Sequence, residues 1–413
     1  MGDLKAGAGK TGRAPAWVVA LAISLTMQTV SAFLTRVLPV IAPELTAAAG
    51  VAPQNIGILA GFVAGGTMWF LMGGSLLLSY FGPVRLLQFG ALVGAVATVA
   101  TITANWWILL VASFAIGVGY GPSPPAGSEI LTRAAPKGRR ALIMSIKQSG
   151  VPLGGAVAGL LLPPIAAWAG WRVSLLVAAA IAIASAAAVQ PWRARLDANR
   201  DVTRPPTAGN LFSPANLKAP FVVFREIPGV LPITCAGFCF ACVQGCILAF
   251  FVTQLTTETG FSLAVAGAAF SAMQLSGTFA RVFMGWLADR LGGLRALMLL
   301  AIASAAMVLV LSRISPGWSP WLVMLVGLAV GMASTSWNGV YLAEVARLAP
   351  PGRVGDATAG STFFTFSGYL LAPILFALAI PLVGSYGTCF IALALFALLA
   401  IPALRHCMRK SPG

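Results

Sequence analysis

The sequence predicts an all-α membrane protein of twelve transmembrane helices, arranged as two pseudo-symmetric bundles of six. Three observations predict it. The chain is 59% hydrophobic and only 9% charged; stretches of about 20 apolar residues, enough to cross roughly 30 Å of hydrocarbon, recur along its whole length; and basic residues fall in alternate connections between those stretches.

A water-soluble domain carries about a quarter charged residues, and a mean hydropathy of +0.91 over 413 residues is far above that regime. In water such a chain would expose large apolar patches, because a single core stops growing well before this size. A transmembrane β-barrel would show short segments alternating apolar and polar, and none is present. The first apolar run, from Trp17 to about Leu38, is too long for a cleavable leader and is followed by further spans, so it reads as a retained first helix.

The spans read from the sequence are 16–38, 54–79, 84–103, 106–128, 143–168 and 171–190, then 230–254, 262–288, 294–312, 319–343, 357–382 and 385–405. Lys5, Lys10 and Arg13 precede the first. The second connection holds Arg85; the fourth holds Arg133, Lys137, Arg139 and Arg140. The polar segment RARLDANRDVTRPP lies in the central loop, which brings six further basic residues. It divides the chain into an N-terminal bundle, 1–191, a cytoplasmic loop, 192–229, and a C-terminal bundle, 230–413. Arg290 and Arg295 follow in the eighth connection, Arg347 and Arg353 in the tenth, and Arg405, Arg409 and Lys410 end the chain. The other side has Arg172, Arg313 and the outer-end Arg36. By the positive-inside rule both termini are then cytoplasmic, and the net charge of +16 is a topology signal, with no nucleic-acid partner implied. The compact loops and the Arg- and Ala-rich usage point to a bacterial inner membrane.

An internal repeat supports the division. RAAPKGR, Arg133 to Arg139, returns as RLAPPGR, Arg347 to Arg353, at an offset of 214 residues. Phe81-Gly82-Pro83-Val84-Arg85 returns as Leu291-Gly292-Gly293-Leu294-Arg295 at an offset of 210. Two parallel halves about an axis along the membrane normal are what alternating access uses, one rocking against the other around a midplane site.

The stretch GWLADRLGGLR, Gly285 to Arg295, resembles the signature loop of the major facilitator superfamily, found between helices two and three and again between eight and nine. The resemblance implies a secondary transporter with that fold, no cofactor and no catalytic residues. It also implies a conformational latch at Asp289, Arg290, Arg295 and Gly285, biasing a two-state equilibrium through charges at helix ends. The first-half copy departs from the pattern, with Ser79 and Tyr80 where the Asp and Arg are expected.

Ionisable residues inside spans are costly and mark solute pathways. Arg281, eight residues before Asp289 and so about 12 Å from the rim, is too deep for easy snorkelling. Its setting FARVFMGWLADR resembles helix eight of monocarboxylate- and oxalate-type carriers, where an Arg at this spacing binds carboxylate; a guanidinium fork matches that geometry. Lys147, in ALIMSIKQSGVPLGG, lies roughly 10 Å into helix five with Gln148 beside it. Either it faces the pathway or its stem stretches to the headgroups. Arg36, in SAFLTRVLP, either anchors at the outer interface or joins the site; organic-anion carriers of the superfamily often keep an Arg there. Tyr120, Gln274 and Asn338 complete the candidate binding set as polar groups in apolar runs, and Gln28, Gln244 and Tyr341 share that setting.

The acidic residues nearest the spans, Glu129 and Glu344, sit at helix ends, so no midplane carboxylate offsets the three cations. That imbalance selects a small organic anion such as a carboxylate. Symport with a proton, exchange against a counter-anion and uniport all stay open, and a monomer is the expected working unit.

Other patterns point elsewhere. GVPLGG resembles the glycine-proline motif of drug antiporters with its Pro displaced by one, so a drug or metabolite efflux antiporter is the alternative. Cys235, Cys239, Cys242 and Cys246 form a stripe on helix seven that reads as packing, with no metal site expected. The single histidine, His406, and the absence of a nucleophile-base pair or phosphate loop argue against an enzyme. A non-transporting sensor is the remaining class.

Overall fold

The computed structural model describes residues 15–136, 139–203, 205–211, 221–227, 229–350 and 353–410. Lys5, Lys10, Arg13, Lys137, Arg204 and Lys218 lie outside the described residues, as do parts of both repeated loops. Twelve helical stretches are long and apolar enough to cross a membrane. They are α1 (Ala16–Val40), α2 (Pro53–Gly74), α3 (Pro83–Thr103), α4 (Trp106–Ala134), α5 (Leu142–Ala169) and α6 (Trp171–Leu196), then α7 (Val230–Thr257), α8 (Leu263–Leu291), α9 (Gly293–Leu311), α10 (Pro320–Leu348), α11 (Val354–Val383) and α12 (Tyr386–Arg409). Several run past the hydrophobic stretch from which they were predicted, α4 to Ala134, α6 to Leu196 and α10 to Leu348, because a helix goes on satisfying its own backbone after it leaves lipid.

Interruptions in three of the spans bear on the site. The helix Trp106–Tyr120 of α4 gives way to Ser123–Ala134, Arg140–Gln148 to Gly150–Ala169 in α5, and Pro320–Ser334 to Trp337–Leu348 in α10. Hydropathy carries no signal for such breaks.

The duplication is visible in the backbone. Gly82, between α2 and α3, and Gly292, between α8 and α9, adopt φ of +87° and +86°, a left-handed conformation that glycine takes without steric cost. Each turn also meets a carboxylate from elsewhere. In the second half Glu344 of α10 packs against Gly293 at the start of α9. In the first half, where the loop lacks its acid, Asp197 arrives from the end of α6. Its Oδ1 accepts from the Val84 amide at 2.8 Å and its Oδ2 from the Arg85 amide at 3.1 Å. Asp197 is 4% exposed, and burial lifts its carboxyl above the ordinary range while those two amides pull it back.

The halves meet along two seams, α2 with α11 and α5 with α8, which a twofold pseudo-axis exchanges. Glycine lets the backbones close. A Cβ on Gly61 would lie 2.7 Å from the Leu370 carbonyl of α11, and one on Gly159 would lie 2.5 Å from the Gly267 carbonyl of α8. Ser271 of α8 adds a 2.8 Å hydrogen bond to the Ala156 carbonyl. Both seams lie on the side away from the start of α1. There one hydrophobic core runs through both halves, joining Phe33, Leu162, Phe250 and Phe270. On the other side the core separates in two, one cluster around Ile130 and Val189, the other around Trp337 and Leu404. A cleft divides them.

Replacing Asp197 with Ala strips two amide partners from the start of α3 and is expected to cost about 1 kcal/mol, the usual value of a helix cap. The lowered melting temperature of the purified protein reads this, with Asp197→Asn, which keeps one acceptor, falling between the variant and the parent.

Candidate functional site

The cleft leads into a cavity of about 1040 Å³ between the halves. Its mouth, at Arg353, Asp356 and Thr358, lies on the face where α1 and α11 begin. Its floor is apolar and includes Pro39, Ala60, Leu248 and Pro373, next to the closed seams. Between the two runs a belt of polar side chains drawn from both halves: Arg36, Tyr120 and Gln148 from one, Gln244, Arg281, Asn338 and Tyr369 from the other.

The two guanidiniums face this cavity in different circumstances. Arg281 donates from Nε to the Thr335 carbonyl at 3.2 Å and from Nη1 to the Gln148 carbonyl at 3.3 Å, the second bond crossing from one half to the other. Both acceptors stand at helix breaks. Gln148 lies four residues before Pro152, which has no N–H to offer its carbonyl, and Thr335 lies between the two helices of α10. Arg36 has no hydrogen bond and no ion pair among the described residues, and its Nε is buried without a partner. The charges of both arginines reach Tyr120 and Tyr369, which places the four side chains in one electrostatic neighbourhood.

Carboxylates stay at the rim. Asp356 is the one acid in the described wall, and it pairs with Arg353 at 2.7 Å; Arg353 also reaches Glu226, again at 2.7 Å. Glu129 is held by Arg133 at 2.6 Å and Glu344 by Arg347 at 2.8 Å.

Of the residues expected from the sequence, Arg36, Tyr120, Gln148, Arg281 and Asn338 line this cavity together. Lys147 and Gln274 do not. Lys147 is 1% exposed and turns toward α4, where its Nζ donates to the Pro124 carbonyl at 3.1 Å and to Gln148 Oε1 at 3.5 Å. Gly127 makes the room, for a Cβ there would come within 2.6 Å of Lys147 Cε. Gln274 is buried in the seam against Gly155. The sequence-predicted loop is helical except at Gly292: Asp289 and Arg290 on the last turn of α8 and Arg295 on the first turn of α9 are exposed and in no ion pair among the described residues; Arg290 sits over the Trp286 ring at 4.1 Å, and a Cβ on Gly285 would meet open space.

Gln244, marked in the sequence as a polar residue of an apolar run but left out of the binding set, also lines the cavity, as does Tyr369, which the sequence reading missed. Tyr369 OH donates to Gln244 Oε1 at 2.7 Å, and Trp337 Nε1 donates to the same oxygen at 2.8 Å. Thr35 and three members of the belt, Tyr120, Gln148 and Tyr369, each stand four residues before a proline, Pro39, Pro124, Pro152 and Pro373, and all four line the cavity. Proline deprives the carbonyl four residues back of its helical donor, leaving polar backbone where a pathway needs it.

The sequence matches the Major Facilitator Superfamily over residues 23–373, with a second match over 233–412. The chain belongs to this superfamily. It is 25% identical to an uncharacterised MFS-type transporter of Mycobacterium tuberculosis over 83% of this chain and 74% of that one. Over shorter stretches it is 29% identical to a probable sulfoacetate transporter of Cupriavidus necator, covering 37% of this chain and 36% of that one. It is 33% identical to a probable nitrate/nitrite transporter of M. tuberculosis, covering 31% and 33%. Among solved structures, a bacterial homologue of the human lysosomal transporter Spinster, inward-facing and unoccupied, has the same fold at a TM-score of 0.74 and 16% identity, covering 97% of this chain and 100% of that one. A peptide transporter of the POT type, solved with sulfate, aligns at a TM-score of 0.76 and 17% identity over 98% and 97%. The protein is therefore a multi-pass membrane protein and a secondary transporter of a small molecule, and not an enzyme.

Because Lys147 is packed behind the belt, Lys147→Ala is expected to lower the melting temperature by several degrees, the usual scale for opening a buried space. Substrate affinity should change less than it does in Arg281→Ala. A ligand titration on both variants separates the two.

Proposed function

We propose that this carrier moves a small organic anion, such as a carboxylate or sulfonate, with both termini and the cavity mouth facing the cytoplasm of a bacterial cell. One observation carries the reading: two guanidiniums border a single cavity in which the described acid stays at the mouth, and one of them, Arg36, has no partner among the described residues. An uncompensated cation away from water is costly; an anionic solute supplies the missing charge on arrival and takes up the free N–H groups. The sulfoacetate and nitrate/nitrite transporters matched over about a third of the chain agree in the sign of their cargo.

Arg36 and Arg281 come from opposite halves, so an anion bridging them draws the halves together on the mouth side, which is the motion alternating access requires. Coupling then passes through the cargo's own charge, by exchange against a counter-anion or by entry of the anion together with a proton. The belt is built within one chain, and a monomer suffices. The α8–α9 junction around Gly292, with Gly285, Asp289, Arg290 and Arg295, is the candidate latch, and with the mouth open it makes no ion pair among the described residues.

Purified protein in liposomes is expected to take up carboxylates or sulfonates and to ignore lipophilic cations. Arg281→Ala and Arg36→Ala should each lower uptake at least tenfold, since a charge-assisted bond of about 1.5–3 kcal/mol is lost. Arg281→Lys, which keeps the charge and loses the fork, should recover only part of it. Accumulation of lipophilic cations with indifference to anions would overturn the proposal. For the latch, Asp289→Asn is expected to raise the reactivity of a cysteine placed at Thr358 in the mouth; unchanged labelling would remove Asp289 from that role.

A further inference from the structure

Gln244 lies on α7, is 6% exposed and lines the cavity in the belt that holds both guanidiniums. Its amide is unusually constrained. Oε1 accepts from Trp337 Nε1 at 2.8 Å, from Tyr369 OH at 2.7 Å and from Asn338 Nδ2 at 3.4 Å. The Trp337 indole donates and cannot accept, so it fixes which end of the amide faces it. That ring is itself held, 1% exposed and stacked on Phe240 with centroids 5.5 Å apart. With the oxygen turned toward α10 and α11 and fully engaged, the NH2 group has no protein partner among the described residues and is not among the buried unpaired atoms. It is left on the cavity side.

The opposite wall repeats the polarity. Gln148 Oε1 faces Lys147 Nζ at 3.5 Å, which leaves its NH2 group toward the cavity, and the Gln148 and Thr335 carbonyls are occupied by Arg281. The belt therefore presents N–H groups from Arg36, Arg281, Gln148 and Gln244, while the side-chain oxygens of Gln148 and Gln244 and the Gln148 and Thr335 carbonyls are already engaged.

We propose that Gln244 is a specificity-determining residue that restricts the bound head group to one carrying acceptors only, a fully ionised carboxylate or sulfonate, and rejects head groups bearing an ammonium beside the anion. This rests on the anion reading above and deepens it. An ammonium held beside Gln244 would meet its N–H group and the like charges of two guanidiniums, with no carboxylate in the described belt to offset them. Removing a required partner inside a closed polar site is what produces large discrimination between otherwise similar ligands.

The test uses two pairs of probes that differ by one ammonium, propionate with β-alanine and ethanesulfonate with taurine, titrated by thermal shift against the purified full-length protein. The member without the ammonium is expected to bind at least tenfold tighter in each pair. In Gln244→Glu the affinity for propionate and ethanesulfonate should fall at least tenfold, and the gap within each pair should narrow; Gln244→Leu should weaken the simple anions without favouring the zwitterions. β-Alanine and taurine binding within twofold of their partners on the unmodified protein would overturn the role given to Gln244 and leave the anion reading standing. Failure of the unmodified protein to respond to either simple anion would overturn the anion reading itself. Where Gln244→Glu does not fold, Gln244→Leu decides: propionate and ethanesulfonate affinities within twofold of the parent would overturn the role given to Gln244.

Discussion

A cation held inside a membrane must be solvated by something, and in this protein the solvent is the main chain. Arg281 rests on the carbonyls of Gln148 and Thr335, and Lys147 on the carbonyl of Pro124. An uninterrupted helix offers few such oxygens, because each is already bonded to the amide four residues on. The breaks in α5 and α10 are thus conditions for keeping Arg281 in the bilayer without a matching carboxylate, while Lys147 shares the Pro124 carbonyl with the Ser128 hydroxyl. Arg36 is the exception, and the cavity forms around that exception.

Packing divides the molecule accordingly. On the far side the glycines of α2, α5 and α8 let backbones meet, and one apolar core runs through both halves. On the mouth side the cores are separate, and the contacts at the rim are ion pairs exposed to water, such as Arg353 with Glu226. Close apolar seams are slow to part, whereas exposed ion pairs contribute little and exchange readily. The open side is held in place by weak contacts, and the closed side by many small ones.

The fold was legible in the sequence because lipid acts on composition directly: span count, loop charge and the repeated loops each follow from residue type alone. The site was legible in part. Depth along a helix can be counted, so Arg281 and Lys147 were both recognisable as embedded; the direction each faces depends on the break near Ser149 and on the space left by Gly127, which counting residues does not reach. Gln244 was visible as a polar residue in an apolar run, but its importance comes from three donors on α10 and α11, about a hundred residues away in sequence. The step from Thr35, Tyr120, Gln148 and Tyr369 to the prolines four residues later is local, but it also occurs away from the cavity, from Gly159 to Pro163 and from Ala377 to Pro381, and so marks only part of the wall.

The cap that Asp197 places on α3 reassigns part of the central connection. The Asp201 amide also bonds the Ser79 carbonyl, at 2.8 Å, so the chain stays fastened to the first bundle some way beyond the end of α6. The true tether between the moving bodies is shorter than the polar stretch, and its origin is displaced toward the second bundle. A polypeptide divided beyond Thr203 would leave the first fragment with its own cap, while one divided ahead of Asp197 would hand that cap to the wrong piece.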